Sequence, residues 1–225
     1  MRGPVVRRPG DAVVLVLATA ATAVCSVAVS SGRVGAVEAA VFRWVNGWPS
    51  SWAPVLWALQ LGGVLGMPLL VAVPASLLRR WRLVLSLCAL VPLKLLLHGE
   101  LVKALVQRSR PGSTIPGAVL RDVPSAGIAY PSGHAVVAFG VAVLLWPYLR
   151  GRWRTGVLLL ASLNAVARVY LGAHAPLDVI GGAALGVALA MALRLTLGVP
   201  RSHREEPTPT GPGTPRRGGG PGARP

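Results

Sequence analysis

Stretches of about twenty apolar residues with little charge between them dominate this chain and leave it few places to fold except a lipid bilayer. A hydrocarbon core roughly 30 Å thick is crossed by a helix of about twenty apolar residues. Six such segments can be marked, at Ala12–Ser30, Pro54–Leu78, Leu83–Val106, His134–Leu149, Gly156–Leu171 and Leu177–Leu197, the fourth and fifth being short. Backbone polar groups in lipid must be satisfied within their own segment, so each is expected as a helix. The expected fold is therefore all-α, an integral membrane bundle of six transmembrane helices over residues 1–198.

Composition agrees. The chain has 225 residues, 53% of them hydrophobic and 13% charged, too little polar surface for a soluble domain of that size. The formal charge of +16 resembles a nucleic-acid signature, but the arginines fall in short clusters between the apolar runs and in the tail. That distribution fixes membrane orientation, and no nucleic-acid partner is expected. Cys25 and Cys88 lie inside apolar stretches and read as buried small hydrophobes. The wealth of Ala, Val, Arg, Gly and Pro, against only the two lysines Lys94 and Lys103, points to a high-GC bacterial genome.

Between the first two spans, Val37–Val45 reads as a short interfacial helix. Trp44, Trp48, Trp52 and Trp57 lie in or just after it, as in an aromatic belt at the headgroup boundary. The first segment follows Arg2, Arg7 and Arg8 like a signal peptide, but no small-residue cleavage site follows Ser30, which favours an uncleaved span. From residue 199 to 225 the chain turns to Pro, Gly, Arg and Thr, a basic tail expected to be disordered. One side of the bundle carries Arg2, Arg7, Arg8, Arg79, Arg80, Arg82, Arg150, Arg152, Arg154 and the tail. The other carries Arg33, Arg43 and the long Arg108–Ser132 loop. The positive-inside rule puts both termini in the cytoplasm and the long loop outside, in a cell membrane crossed several times.

Three polar clusters fall on that outer side. Lys103 and Arg110 end the third span seven residues apart, two helical turns, and share a face while the helix lasts. Pro111 then turns the chain away. Two fixed cations suit a phosphate, Arg as a planar fork and Lys as a point charge, although alone they read as interfacial anchors. Tyr130-Pro131-Ser132-Gly133-His134 opens the fourth span, with Ser132 a natural N-cap and Gly133 permitting close approach to the backbone. Such a helix start is an anion site, or simply a capped end with an incidental histidine. Arg168 to Asp178 joins the last two spans. If that segment is helical, Asp178 lies one turn after His174, where its carboxylate accepts the Nδ1–H and leaves Nε2 free to attack. An ionisable group at membrane depth is costly and usually functional.

Together the clusters resemble the type-2 phosphatidic acid phosphatase superfamily. Its signatures are Lys, six residues, Arg-Pro; then Pro-Ser-Gly-His; then Ser-Arg, five residues, His, three residues, Asp. Here they stand as Lys103 with Arg110-Pro111, Pro131 to His134, and Arg168 with His174 and Asp178, covering about half of the chain. The resemblance implies a membrane lipid phosphatase in which His174 is the nucleophile that forms a phosphohistidine, oriented by Asp178. His134 would protonate the leaving oxygen; Lys103, Arg110, Arg168, Ser132 and the Gly133 amide would hold phosphoryl oxygens. Phosphoryl transfer needs chiefly positioning and charge stabilisation, which these cations supply, so no metal and no cofactor are expected. Ala167 stands where the family has serine, removing a hydroxyl donor. The expected partners are a lipid phosphate and the surrounding lipid. A polyprenyl diphosphate, phosphatidate and phosphatidylglycerol phosphate all suit an outward interfacial site, with the polyprenyl carrier favoured by analogy. A phosphotransferase with an alcohol acceptor uses the same residues. A transporter or scramblase that only binds lipid phosphate needs no His174–Asp178 pair. The spans exclude a soluble haloperoxidase. Glu100 reads as an ion-pair partner of Lys103. Lys94, nine residues before Lys103, faces the opposite side of a straight helix, and its one apparent contact is inward, with His98.

Overall fold

The structure is a computed structural model that describes residues 5–200, the side chains of residues 5, 99 and 100 excepted. Most of the expected tail, with His203, and the Glu100–Lys103 pairing lie outside the described residues.

Among the described residues, eight helices of eight residues or more build the bundle. Helix α1 (Pro9–Val29) begins with proline at its first position and Asp11 in its first turn, placements that match the unsatisfied N–H groups and positive end of a helix start. The interfacial helix α2 (Ala36–Asn46) follows. The second span is broken: α3 (Ala53–Gln60) and α4 (Met67–Leu77) are bent by 67° at residues between them. Gly62, Gly63 and Gly66, with their weak helix propensity, fall in that break. Helix α5 runs Trp81–Leu105 as one rod, with α-helix to Lys94, a π-helical stretch Leu95–Val102 and a last α-turn Lys103–Leu105. The bundle closes with α6 (Gly133–Leu145), α7 (Arg152–Tyr170) and α8 (Pro176–Leu197).

Among the described residues, α1, α5 and α8 are long and apolar enough to cross a membrane, and the bent α3–α4 pair passes the same test if its two halves are counted as one span. Helix α6 has 13 residues, most of them buried. Helix α7 has 19 but carries Arg152, Arg154, Asn164 and Arg168, which dilute its apolar character. Length and composition thus mark fewer full crossings than the six apolar segments of the sequence, because one of the remaining two helices is short and the other is diluted by polar residues.

Helix α6 is the central element, flanked by α5, α7 and α8, while α1 lies along α8. Small residues set that closeness. A Cβ on Gly182 of α8 would stand 2.5 Å from the Ser132 carbonyl oxygen and 3.1 Å from the Ala135 methyl, and Gly186 abuts the Val136 backbone in the same way. This Gly-x-x-x-Gly stripe lets the α8 backbone lie directly against the start of α6. Leu87, Leu90, Val136, Val137, Leu144 and Leu189 fill the core on one side of α6, and Phe42, Ala135, Ala167, Tyr170 and Leu171 on the other.

The arginine-rich end is stitched to the last turn of α8. Arg7 Nε donates to the Leu195 carbonyl at 2.9 Å, and Arg82 Nη1 to that of Leu197 at 2.5 Å, as suits cations at the negative end of a helix. Arg194 Nη2 meets Asp11 Oδ1 at 2.8 Å. Val199 and Pro200, assigned by composition to the tail, pair instead with Val5 and Val6 as a two-residue antiparallel ladder, β1 (Val5–Val6) with β2 (Val199–Pro200). At the other end, Trp44, Trp48 and Trp52 stack edge to face at 5.3 and 5.2 Å between centroids.

Candidate active site

Helix α5 ends at Leu105, and Val106 is already extended (φ −124°, ψ 93°). Lys103 and Arg110 therefore do not share a helical face, contrary to the expectation from their spacing. The chain turns instead, and Arg110 is held in the long loop by its N–H to the Gly127 carbonyl (3.1 Å). Its Nη1 donates to the Ala173 carbonyl at 3.0 Å, next to His174. Arg110 and Lys103 are close enough for their charges to interact.

The start of α6 is fixed from three directions. Tyr130, fully buried, donates from its hydroxyl to the Thr22 carbonyl (3.1 Å) and lies 3.0 Å from Ser26 Oγ, both on α1. His98 Nε2 donates to the Pro131 carbonyl at 2.9 Å. The Ser132 N–H donates to the Asp178 carbonyl at 2.8 Å. Ser132 occupies the N-cap position, but its side chain caps nothing. Its Oγ is buried with no partner among the described residues, and a buried hydroxyl without a hydrogen bond is costly unless a ligand completes it. A Cβ on Gly133 would stand 3.1 Å from His98 Cε1 and 3.4 Å from Lys94 Cε. Any larger residue there would press on both side chains.

Arg168, in the last turn of α7, is buried and donates through Nη1 to Gln60 Oε1, while its Nε has no partner. Gln60 ends α3, where Asn164 Nδ2 donates to its carbonyl (2.9 Å) and to that of Leu59 (3.0 Å). The break in the second span brings Gly63 against His134, so that a Cβ there would meet the His134 carbonyl oxygen at 2.6 Å. Past α7 the chain turns at Gly172 (φ 81°), and the N–H groups of Ala173 and His174 both point to the Arg168 carbonyl, at 3.1 and 3.3 Å.

His174 lies in this turn, not on a helix, because α8 starts only at Pro176 with Ala175 extended before it. The expected hydrogen bond to Asp178 is absent: Nδ1 and Oδ2 are 3.9 Å apart, an ion-pair distance, too long for an N–H···O bond. Asp178 is fully buried and otherwise engaged. Its Oδ2 accepts the Ala175 N–H at 2.7 Å and its Oδ1 accepts Arg108 Nη1 at 3.0 Å. Arg108, itself completely buried, spends its other nitrogen on Glu38 Oε2 at 2.5 Å. Glu38 Oε1 also accepts the Leu177 N–H at 2.9 Å. A Glu38–Arg108–Asp178 chain thus underlies the first turn of α8.

Burial first, then the charges of Arg168, Arg110 and Lys103, hold the His174 imidazole well below its ordinary pKa and therefore neutral at neutral pH. The cations acting on His134 are Arg168, Lys94 and Arg110. Lys103, Arg110 and Arg168 have no carboxylate partner among the described residues. All eight residues singled out in the sequence, Lys103, Arg110, Ser132, Gly133, His134, Arg168, His174 and Asp178, are brought to one place.

Five residues of this place were not foreseen for it: Glu38, Gln60, Asn164, Arg108 and Lys94. Gln60 and Asn164 carried a signal, as polar residues inside apolar segments. Glu38 and Arg108 resembled interfacial charges and reveal their pairing only in three dimensions. Lys94 reaches Gly133 beside His98, and the stretch that separates it from Lys103 is π-helical, so the phase expected of a straight α-helix does not apply. Ala167 is fully buried within the apolar cluster of Phe42 and Tyr170, so its methyl group packs there.

A sequence model of the PAP2 superfamily matches residues 80–199. The lipid A 4'-phosphatase of Bacteroides thetaiotaomicron is 27% identical over 164 residues, 67% of this chain and 72% of that protein. An undecaprenyl-diphosphatase of Sulfolobus acidocaldarius is 37% identical over 89 residues, 39% of this chain and 43% of that protein. Among solved structures, LpxE of Aquifex aeolicus has the same fold, with a TM-score of 0.65 at 22% identity over 71% of this chain and 95% of that one. The PAP2-type phosphatidylglycerolphosphate phosphatase of Bacillus subtilis gives a TM-score of 0.62 at 22% identity, covering 80% and 94%.

Proposed function

This chain belongs to the PAP2 superfamily of integral membrane proteins, and we propose that it is a lipid phosphatase that hydrolyses a lipid-linked phosphate or diphosphate through a phosphohistidine on His174. The observation that supports this reading is a buried imidazole 3.9 Å from Asp178, in a turn held by Arg110 and by the Arg168 backbone, two cations without a carboxylate partner among the described residues. Such a group attacks phosphorus readily, while the surrounding charge stabilises the equatorial oxygens.

In the first step His174 Nε2 forms a bond to phosphorus as the bond to the leaving oxygen breaks, the ester oxygen of a monophosphate or the bridging oxygen of a diphosphate. That oxygen leaves with the electron pair and takes a proton from His134. Arg168, Lys103 and Arg110 hold the phosphoryl oxygens with the Ser132 hydroxyl and the Gly133 N–H. Asp178 balances the positive charge that develops on the imidazole. In the second step His134 takes a proton from water, which attacks phosphorus and breaks the N–P bond, releasing inorganic phosphate. Every role is filled by a side chain or amide of the protein, without a metal. The site faces the extracytoplasmic side, with both termini in the cytoplasm, and a polyprenyl diphosphate is the favoured substrate, ahead of phosphatidate.

Release of inorganic phosphate by the purified protein from a panel of lipid phosphates, with and without alcohol acceptors, tests the reading. Phosphate release from at least one lipid supports it. Phosphate appearing only on an alcohol makes the protein a transferase, and binding without turnover makes it a lipid-phosphate carrier.

A further inference from the structure

Lys94 is the one lysine that the proposed chemistry leaves unused. It sits well inside α5, and an ammonium group among apolar residues at that depth is costly without an anionic partner. No carboxylate pairs with it among the described residues. Its neighbours are those of the site: Cε lies against Gly133, whose added Cβ would stand 3.4 Å from it, beside the His98 ring that holds the Pro131 carbonyl.

Its placement relative to the two histidines is asymmetric. Lys94 Cε lies against Gly133, the residue before the proposed acid His134, whereas Arg110 donates to the carbonyl of Ala173, the residue before the proposed nucleophile His174. On the proposed division of labour, Lys94 is therefore placed by the acid, at the end of the site where the leaving group departs. A lipid monophosphate puts only an ester oxygen there. A lipid diphosphate puts a second phosphate there, and that phosphate stays on the lipid.

We propose that Lys94 forms a second phosphate subsite on the leaving-group side, which holds the lipid-borne phosphate of a diphosphate substrate and makes the site selective for diphosphates over monophosphates. The proposal rests on the phosphohistidine reading above. In the step concerned, the His174 Nε2–P bond forms and the bond from that phosphorus to the bridging oxygen breaks. The bridging oxygen keeps the electron pair and leaves as the lipid monophosphate, whose developing negative charge falls beside Lys94 while His134 supplies the proton. No co-reactant beyond water is needed to complete the cycle.

The test compares wild type, Lys94→Gln, Lys94→Arg and Lys103→Gln, purified as the full chain in detergent and checked for monodispersity. Hydrolysis of a polyprenyl diphosphate and of the corresponding monophosphate is measured, with calorimetric binding of inorganic diphosphate and inorganic phosphate. One buried charge-assisted contact corresponds to about 10- to 100-fold. Lys94→Gln is expected to reduce kcat/KM on the diphosphate by about that factor more than on the monophosphate, with Lys94→Arg recovering part of it, while Lys103→Gln lowers both together. Inorganic diphosphate is expected to bind Lys94→Gln about tenfold more weakly relative to inorganic phosphate than it binds wild type. Equal losses on both substrates, or unchanged diphosphate handling, would show Lys94 to be structural and overturn the proposal. A wild type that hydrolyses monophosphates but not diphosphates overturns the subsite and leaves the lipid phosphatase standing. If no lipid phosphate is hydrolysed, the phosphatase reading fails, and the binding ratio still decides whether Lys94 holds a second phosphate.

Discussion

Arg108 donates from Nη1 to Asp178 Oδ1 at 3.0 Å, and both side chains are completely buried. The carboxylate that faces His174 is thus held by a cation which is itself clamped by Glu38. Removing one partner of a buried ion pair leaves an uncompensated charge, at a cost of about 3–5 kcal/mol. Arg108→Ala should therefore lower thermal stability in detergent by that order and abolish activity, since Asp178 and Glu38 would then repel each other. Glu38→Gln keeps a hydrogen-bond acceptor and removes one charge, so it should be milder on both counts. Thermal unfolding of the two variants checks the order. Equal tolerance of both would mean that the chain of charges does not position Asp178.

A second prediction concerns pH. Burial and the nearby cations hold His174 below its ordinary value of 6.5, so its neutral, nucleophilic form persists into acid. The acid limb that His174 contributes to the kcat/KM profile should fall well below the usual histidine range. Stability follows the same linkage. Below about pH 6.5 the unfolded chain takes up a proton that folded His174 refuses, so stability declines as pH falls from there until the folded group titrates. Above that value His174 contributes no pH dependence. The profile of His174→Asn unfolding against wild type measures this contribution, and identical slopes between pH 5 and 7 would contradict it.

How much was legible in the sequence can be judged residue by residue. Apolar run length marked the helices, but it did not show that α6 would be short and largely buried by its neighbours. The proposed phosphate-binding residues were readable because the three motifs together hold cations, histidines and an acid at spacings that resemble the family's. The geometry behind those spacings is not that of a continuous helix. Lys103 and Arg110 meet through a loop rather than a helix face, and His174 approaches Asp178 across a proline-initiated helix start. Glu38 was not legible: its partner Arg108 is seventy residues away, and nothing local distinguishes a buried glutamate from an interfacial one. The phase of Lys94 against Lys103 was not legible either, because the stretch between them is π-helical and carries no signature of that in its residues.

The orientation argued from the arginines is open to direct test. A reporter fused after Ala118, in the long loop, should be extracytoplasmic, and one after Arg152, at the start of α7, cytoplasmic. Both reporters on one side would require a different number of crossings between them.

The proposed metal-free mechanism predicts that activity survives excess EDTA. Among the described residues, no three His, Cys, Asp or Glu side chains stand together as a metal site. Vanadate should inhibit by occupying the phosphoryl cage as a pentacoordinate mimic, with weaker inhibition of Arg168→Ala. Activity lost on chelation and restored by magnesium would refute the mechanism.

The division of labour between the histidines gives the last prediction. If His174 forms the bond to phosphorus, His174→Ala should abolish turnover of every substrate, because no other side chain replaces that bond. If His134 protonates the departing oxygen, its value depends on how badly that oxygen needs a proton. A lipid alkoxide is a poor leaving group, and His134→Ala should cost about 10²–10⁴-fold there, the usual contribution of a positioned general acid. An aryl phosphate such as p-nitrophenyl phosphate leaves as a stabilised anion and should lose far less. His134 also packs its backbone against Gly63, so rates are normalised to folded, detergent-extracted protein. A contribution of His134 to phosphate binding would penalise both substrates through KM, which makes the ratio of kcat losses the informative quantity. Equal losses for both variants on both substrates would show that the two histidines act as one unit and that the proposed assignment of acid and nucleophile is wrong.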